Sequence, residues 1–168
     1  MIETGDILLV GNKKTLLAKL IMRFTRSNWH HAEVCIIIDD IAFTCGANIT
    51  GITLTPLRDW YNKDVDLCIG KPIERLGKLE KTTVKSICLH KVGRTRYDYE
   101  AILFTQPYRW VLKRFGKDIK VKKDNNYTCG EFVGMIYNTI RGYYPNYSRI
   151  APVELITNSF TFTEEIIN

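Results

Sequence analysis

A cysteine becomes an effective nucleophile near neutral pH when a base such as histidine stands beside it. This chain has five cysteines and three histidines. Cys129 has the most informative neighbours, in the stretch "YTCGEFVGMIY" at 127–137. Thr128 and Glu131 stand three apart, just ahead of Phe132, Val133, Ile136 and Ile140, which are apolar at helical spacing. That pattern predicts a capping box, in which the Thr128 hydroxyl and the Glu131 carboxylate each accept from an orphan backbone N–H at a helix start. Cys129 is then the first residue of the helix, where the positive end of the dipole and free N–H groups favour an anionic sulfur. Gly130 leaves the approach to that sulfur open. A small buried cysteine at a helix end is the alternative reading of this stretch alone.

The histidines are His30, His31 and His90. His90 falls among lysines in a helical segment, which predicts a surface position. His31 opens the strand "HAEVCIII". Alternation puts His31, Glu33, Cys35 and Ile37 on one face, and Ala32, Val34, Ile36 and Ile38 on the other. The second set is uniformly apolar and suits a core. The first carries the polar groups and suits a cleft facing a helix terminus. His30 points the other way, to cap the strand or meet solvent. If Asp39 and Asp40 make a two-residue turn, Ile38 pairs with Ile41 and Cys35 with Thr44. Continued past Gly46, which can break the ladder, that register sets Asn48 opposite His31. Thr44 and Asn48 are therefore the residues in range to orient the imidazole.

The elements around these residues read as follows. "GDILLV" is a strand, and "KKTLLAKLIMRFTRS" a helix with a basic outer face. The hairpin around Asp39 and Asp40 comes next, then a strand ending near Pro56 and another in "DVDLCIGKPI". Helices are expected over Glu80 to about Val92 and over 97–103. A Tyr/Pro-rich loop after the Cys129 helix leads into a short final turn. With 168 residues, no repeat and no linker, the reading is one α+β domain over 1–168.

Composition sets the outer limits. Hydrophobic and charged shares of 45% and 25% are ordinary for a globular protein. No apolar run approaches the roughly 20 residues of a membrane span, and the start lacks the pattern of a secretory signal. Cys35, Cys45, Cys68, Cys88 and Cys129 are odd in number and scattered. They fit neither a disulfide framework nor a zinc site, which points to a reducing, intracellular compartment. The net charge of +6 is concentrated, because Tyr108 to Lys123 holds seven Lys or Arg residues against one acid, Asp118. Aromatics interleave with these cations, as on surfaces that meet anionic membranes. A solvated face is the alternative, and no nucleic-acid-binding motif is present.

Four stretches, in order, resemble the permuted branch of the NlpC/P60 (papain-like) superfamily, which includes YiiX-type bacterial proteins, lecithin retinol acyltransferases and a poxvirus-encoded member. They are "GDILL", "SNWHHAEVCII", "YTCGEFV" and "APVELI". The likeness is nearest to the poxvirus member, which implies the cytoplasm of an infected cell. The resemblance implies a circularly permuted papain-like fold: an antiparallel sheet carrying His31, packed against the helix that begins at Cys129. It assigns the nucleophile to Cys129 and the base to His31, with Tyr127 bordering the oxyanion site. Family members often offer a His or Glu on the next strand as third residue, where this chain offers Thr44. The activity implied is a cysteine hydrolase or acyltransferase acting through a thioester on an amide or ester, with a peptide-like or acyl-lipid substrate. No metal or organic cofactor is implied. The rival expectation is a catalytically weak papain-like domain that serves as a binding protein.

Overall fold

A strand that is apolar on both faces needs cover on both, and β1 (Ile7–Gly11) is buried at all five positions. It lies inside a six-stranded sheet with β2 (His31–Ile38), β3 (Ile41–Asn48), β4 (Gly51–Pro56), β5 (Asp66–Pro72) and β6 (Phe160–Thr163). The strand order is β4-β3-β2-β1-β5-β6, and each neighbouring pair is antiparallel. This is a computed structural model, describing residues 1–11, 15–25, 27–98, 126–147, 150, 152–155 and 160–163. The basic stretch at 108–123 lies outside those residues, as does most of the helix expected over 97–103. Within the described part, Tyr97 forms an isolated bridge with Tyr127 instead of opening a helix.

The hairpin follows the expected register. Asp39 and Asp40 have φ of 47° and 62°, the two left-handed residues of a type I′ turn. Ile38 pairs with Ile41 and Cys35 with Thr44. Gly46 does not end β3, which continues to Asn48 and pairs there with Gly51 of β4. Two features depart from the sequence reading. β4 ends at Pro56 as expected, but the residues just after it, Arg58–Tyr61, form a short helix, α2, that the sequence did not suggest. β6 adds an edge strand beyond the expected final turn, a 3-10 helix at Pro152–Leu155.

Four helices complete the described fold: α1 (Leu16–Thr25), α2, α3 (Lys78–Lys91) and α4 (Cys129–Arg141). α4 packs Phe132, Val133 and Ile136 on the sheet face formed by Ala32, Val34 and Ile36. Phe132, Val133 and Ile136 are each fully buried, a contribution of about 1.5–3 kcal/mol apiece. The opposite face holds Leu8, Val10 and Cys35, closed over by Leu57 and by Trp60 of α2. The far end of α4 is clasped to α3 by Arg141, whose Nε donates to Glu80 Oε1 at 2.7 Å and whose Nη2 donates to Oε2 at 3.2 Å. Gly142 ends the helix in the left-handed conformation, with φ of 67°. With its far end clasped and its apolar face on β2, α4 is fixed against the sheet.

Candidate active site

The first turn of α4 is built as its sequence predicts. Thr128 is the N-cap, and its hydroxyl accepts from the Glu131 N–H at 3.4 Å. The Thr128 N–H donates to Glu131 Oε2 at 2.8 Å. Both side chains are buried, so these are protected hydrogen bonds that set where the helix begins. Cys129 is therefore the first helical residue, 4% exposed, with its Sγ 4.0 Å from the His30 carbonyl oxygen.

β2 delivers His31 to the same place. The imidazole Nε2 meets Glu33 Oε1 at 2.9 Å, and its side chain is 12% exposed. The Cys129 sulfur, beside the carbonyl of the preceding residue, His30, is near enough to the ring to favour its charged form. Burial opposes charge on His31, but the Cys129 sulfur and then the Glu33 carboxylate outweigh it and push the imidazolium up to about 10. His30 goes the other way, to about 4, because burial and the neighbouring His31 charge both disfavour its protonation. The two adjacent histidines thus divide into one that holds its proton and one that does not.

Glu33 is the group that sequence reasoning passed over. It shares the His31 face, where the sequence points instead to Thr44 and Asn48 as the orienting residues. Thr44 turns out to serve Trp60: its Oγ1 accepts from the indole Nε1 at 2.9 Å and donates weakly to the Thr55 carbonyl at 3.4 Å. Asn48 is one step removed, since its Nδ2 donates to Glu33 Oε1 at 3.0 Å and to Thr53 Oγ1 at 2.5 Å. The imidazole partner comes from two residues along the same strand, where side chains share a face and a glutamate can fold back to reach. Burial disfavours the Glu33 charge, but His31, Thr44 and Asn48 together hold its carboxyl below the usual range. Glu33 Oε2, fully enclosed, completes no hydrogen bond of its own among the described residues. The His31 face is closely covered, because Glu33 and Cys35 have no exposure and Trp60 stands 5.9 Å from the imidazole, centre to centre.

Tyr127, which the resemblance sets beside the oxyanion site, is buried. Its ring packs edge-on to Phe132 at 6.1 Å and lies 5.1 Å beneath the Lys91 ammonium. These contacts seat the ring in the core under α3, and none runs to His31 or Cys129. His90 is exposed, as predicted. Cys35, Cys45, Cys68 and Cys88 are buried, and none forms a disulfide. Among the described residues no cluster of three or more His, Cys, Asp or Glu side chains is placed to hold a metal ion.

No family model matches the sequence, and no curated protein matches it. A crystal structure described as the metalloprotein YiiX (DUF1105) from Escherichia coli O157:H7 is similar in fold, with a TM-score of 0.69 over 96% of this chain and 96% of that one. The two sequences are 15% identical. The chain therefore has a YiiX-like α+β fold built on a six-stranded antiparallel sheet. The metal named for that protein finds no matching donor cluster among the described residues here.

Proposed function

We propose that this protein is a cysteine hydrolase or acyltransferase of the permuted NlpC/P60 type, acting on an amide or ester bond. The carrying observation is that β2 sets His31 against the Glu33 carboxylate at 2.9 Å while the His30 carbonyl beside it lies 4.0 Å from the Cys129 sulfur, with sulfur and carboxylate both favouring the protonated ring. The order of the two residues, histidine strand before cysteine helix, supports a papain-like site read in permuted sequence. In this reading Cys129 attacks the carbonyl carbon, and the electron pair of the C=O moves onto oxygen. The oxyanion meets the Cys129 backbone N–H, one of the first-turn groups that helix geometry leaves without an intrahelical acceptor. As the tetrahedral species collapses, the His31 proton passes to the leaving nitrogen or oxygen, and the C–N or C–O bond breaks. The neutral imidazole then takes a proton from water, or from an acceptor hydroxyl or amine, which attacks the thioester and releases the sulfur. Glu33 keeps the ring in place and its charge balanced throughout. Thr44 and Asn48 act behind Glu33.

The test is labelling of the intact protein with an electrophilic acyl probe, read by peptide mass spectrometry. Cys129 should be acylated far faster than Cys35, Cys45, Cys68 and Cys88, and His31→Ala should slow it by about 10²-fold or more. Labelling of Cys129 at the rate of the other four would sink the catalytic reading. The low exposure of Cys129, 4%, favours one alternative, a papain-like scaffold that binds without turnover. In that case the probe reacts slowly and His31→Ala changes nothing.

A further inference from the structure

Past the end of α3 the chain makes a loop that the catalytic reading does not use. His90 and Lys91 end the helix, and Arg94, Thr95 and Arg96 follow; with Asn126 they line a cavity of about 360 Å³. That volume is in the usual range of small-molecule sites, about 300–1,000 Å³. The loop is fixed on both sides. Toward the sheet, the Ile52 N–H donates to the Thr95 carbonyl and the Gly93 N–H to the Ile52 carbonyl, both at 3.1 Å. Gly51, with φ of 115°, permits that approach, because a Cβ there would stand 2.5 Å from the Thr95 oxygen. Toward α4, Tyr97 bridges Tyr127, and the Asp98 N–H donates to the Tyr127 carbonyl at 3.3 Å.

Thr95 is buried while Arg94 and Arg96 on either side of it are exposed, so the two guanidinium groups stand out from an anchored backbone. Lys91 adds an ammonium over the Tyr127 ring. The negative end of the α3 dipole, which ends at Lys91, offsets part of this charge, but three cationic side chains outweigh a partial charge of about half a unit. Among the described residues no carboxylate forms an ion pair with Lys91, Arg94 or Arg96. Two guanidinium forks and an ammonium around a small concavity match a compact, multiply charged oxyanion better than a single carboxylate. Asn126, on the cavity wall, is three residues from Cys129, a span of at most about 11 Å.

We propose that this cavity binds a phosphate-bearing group, carried by the molecule whose acyl carbon reaches Cys129. The binding half stands on the cavity alone; the second half rests on the catalytic reading above. The experiment uses the full chain in two arms. In the first, inorganic phosphate is titrated while amide signals are followed by NMR, with chloride at matched ionic strength as reference. Phosphate should shift Arg94, Thr95, Arg96 and Asn126. The double variant Arg94→Glu with Arg96→Glu, checked for an unchanged thermal transition, should bind at least about tenfold more weakly. In the second arm, kcat/KM is compared for two short-chain acyl esters that differ only by a phosphate on the alcohol. The phosphorylated ester should be preferred about tenfold or more, with that preference falling toward one in the double variant. Phosphate shifts without turnover of either ester would uphold the binding site and overturn the catalytic reading. Turnover of both esters at equal kcat/KM, or shifts no larger than those of chloride, would overturn the proposal. So would tighter binding of an Asp/Glu-rich peptide than of phosphate.

Discussion

Gly46 of β3 stands across the strand pair from Glu33 of β2, and a Cβ at Gly46 would come within 2.5 Å of Glu33 Cγ. The glycine is what gives the carboxylate room to fold back along its strand to His31. Gly46→Ala should therefore cost about 1–3 kcal/mol by overpacking and, by displacing Glu33, slow acylation of Cys129. Urea unfolding and probe labelling measure the two effects. A stable variant with unimpaired labelling would mean that Glu33 does not depend on this space.

Glu33→Gln should lower the pH at which His31 loses its proton, since a neutral amide no longer supports the imidazolium. In the wild type that loss should come near pH 10, read from the imidazole signals by NMR. The sign for stability follows. A histidine whose proton is held more tightly in the folded state contributes fully below 6.5, its ordinary value, and the contribution is lost as pH rises to about 10. Glu33 has the opposite sense: its contribution is present above 4.5 and lost as pH falls through its lowered value. Unfolding free energy should thus decline between pH 6.5 and 10, and the decline should be shallower in Glu33→Gln. Coincident curves for the two proteins would remove Glu33 as the support of the charge.

Thr128→Ala removes the acceptor of the Glu131 N–H in a buried cap. It should cost about 1 kcal/mol of stability. It should also slow Cys129 acylation, because the first turn positions the sulfur. Thr128→Ser keeps the hydroxyl and should restore most of both. Equal loss in the two variants would assign the effect to packing of the methyl group.

The basic stretch from Tyr108 to Lys123, outside the described residues, is expected from its seven cations against one acid to bind anionic surfaces. Each cation near an anionic leaflet contributes about 1 kcal/mol, and salt should weaken the attraction as the Debye length falls from about 10 Å at 0.1 M to about 3 Å at 1 M. Vesicle co-sedimentation at both salts, with Lys113→Glu plus Arg114→Glu as control, measures it. Equal pelleting on neutral and anionic lipid would remove the membrane contact.

Features that depend on near neighbours in the chain were legible in advance. The Thr128–Glu131 box, the Asp39–Asp40 turn and the Cys35–Thr44 pairing each follow from a few adjacent residues. Features set by distant neighbours were not. Glu33 lies on the predicted face, but its fold toward His31 depends on the space at Gly46, one strand away. Thr44 shares that face, yet an indole brought over by the four-residue α2 takes its hydroxyl. A helix that short shows no periodicity to read. β6 takes its place by pairing with β5, some ninety residues earlier in the chain, as in Pro72 with Phe160.

The His30 carbonyl and the Cys129 sulfur meet across a sequence separation of 99 residues, whereas His31, Glu33 and Asn48 belong to one meander of consecutive strands. Local pairings close faster than distant ones, because shorter loops cost less entropy to form. The β2–β3 half of the site is therefore expected to form before the Cys129 thiol is brought to it. In pulse-labelling hydrogen exchange during refolding, amides of β2 and β3 should gain protection before those of α4.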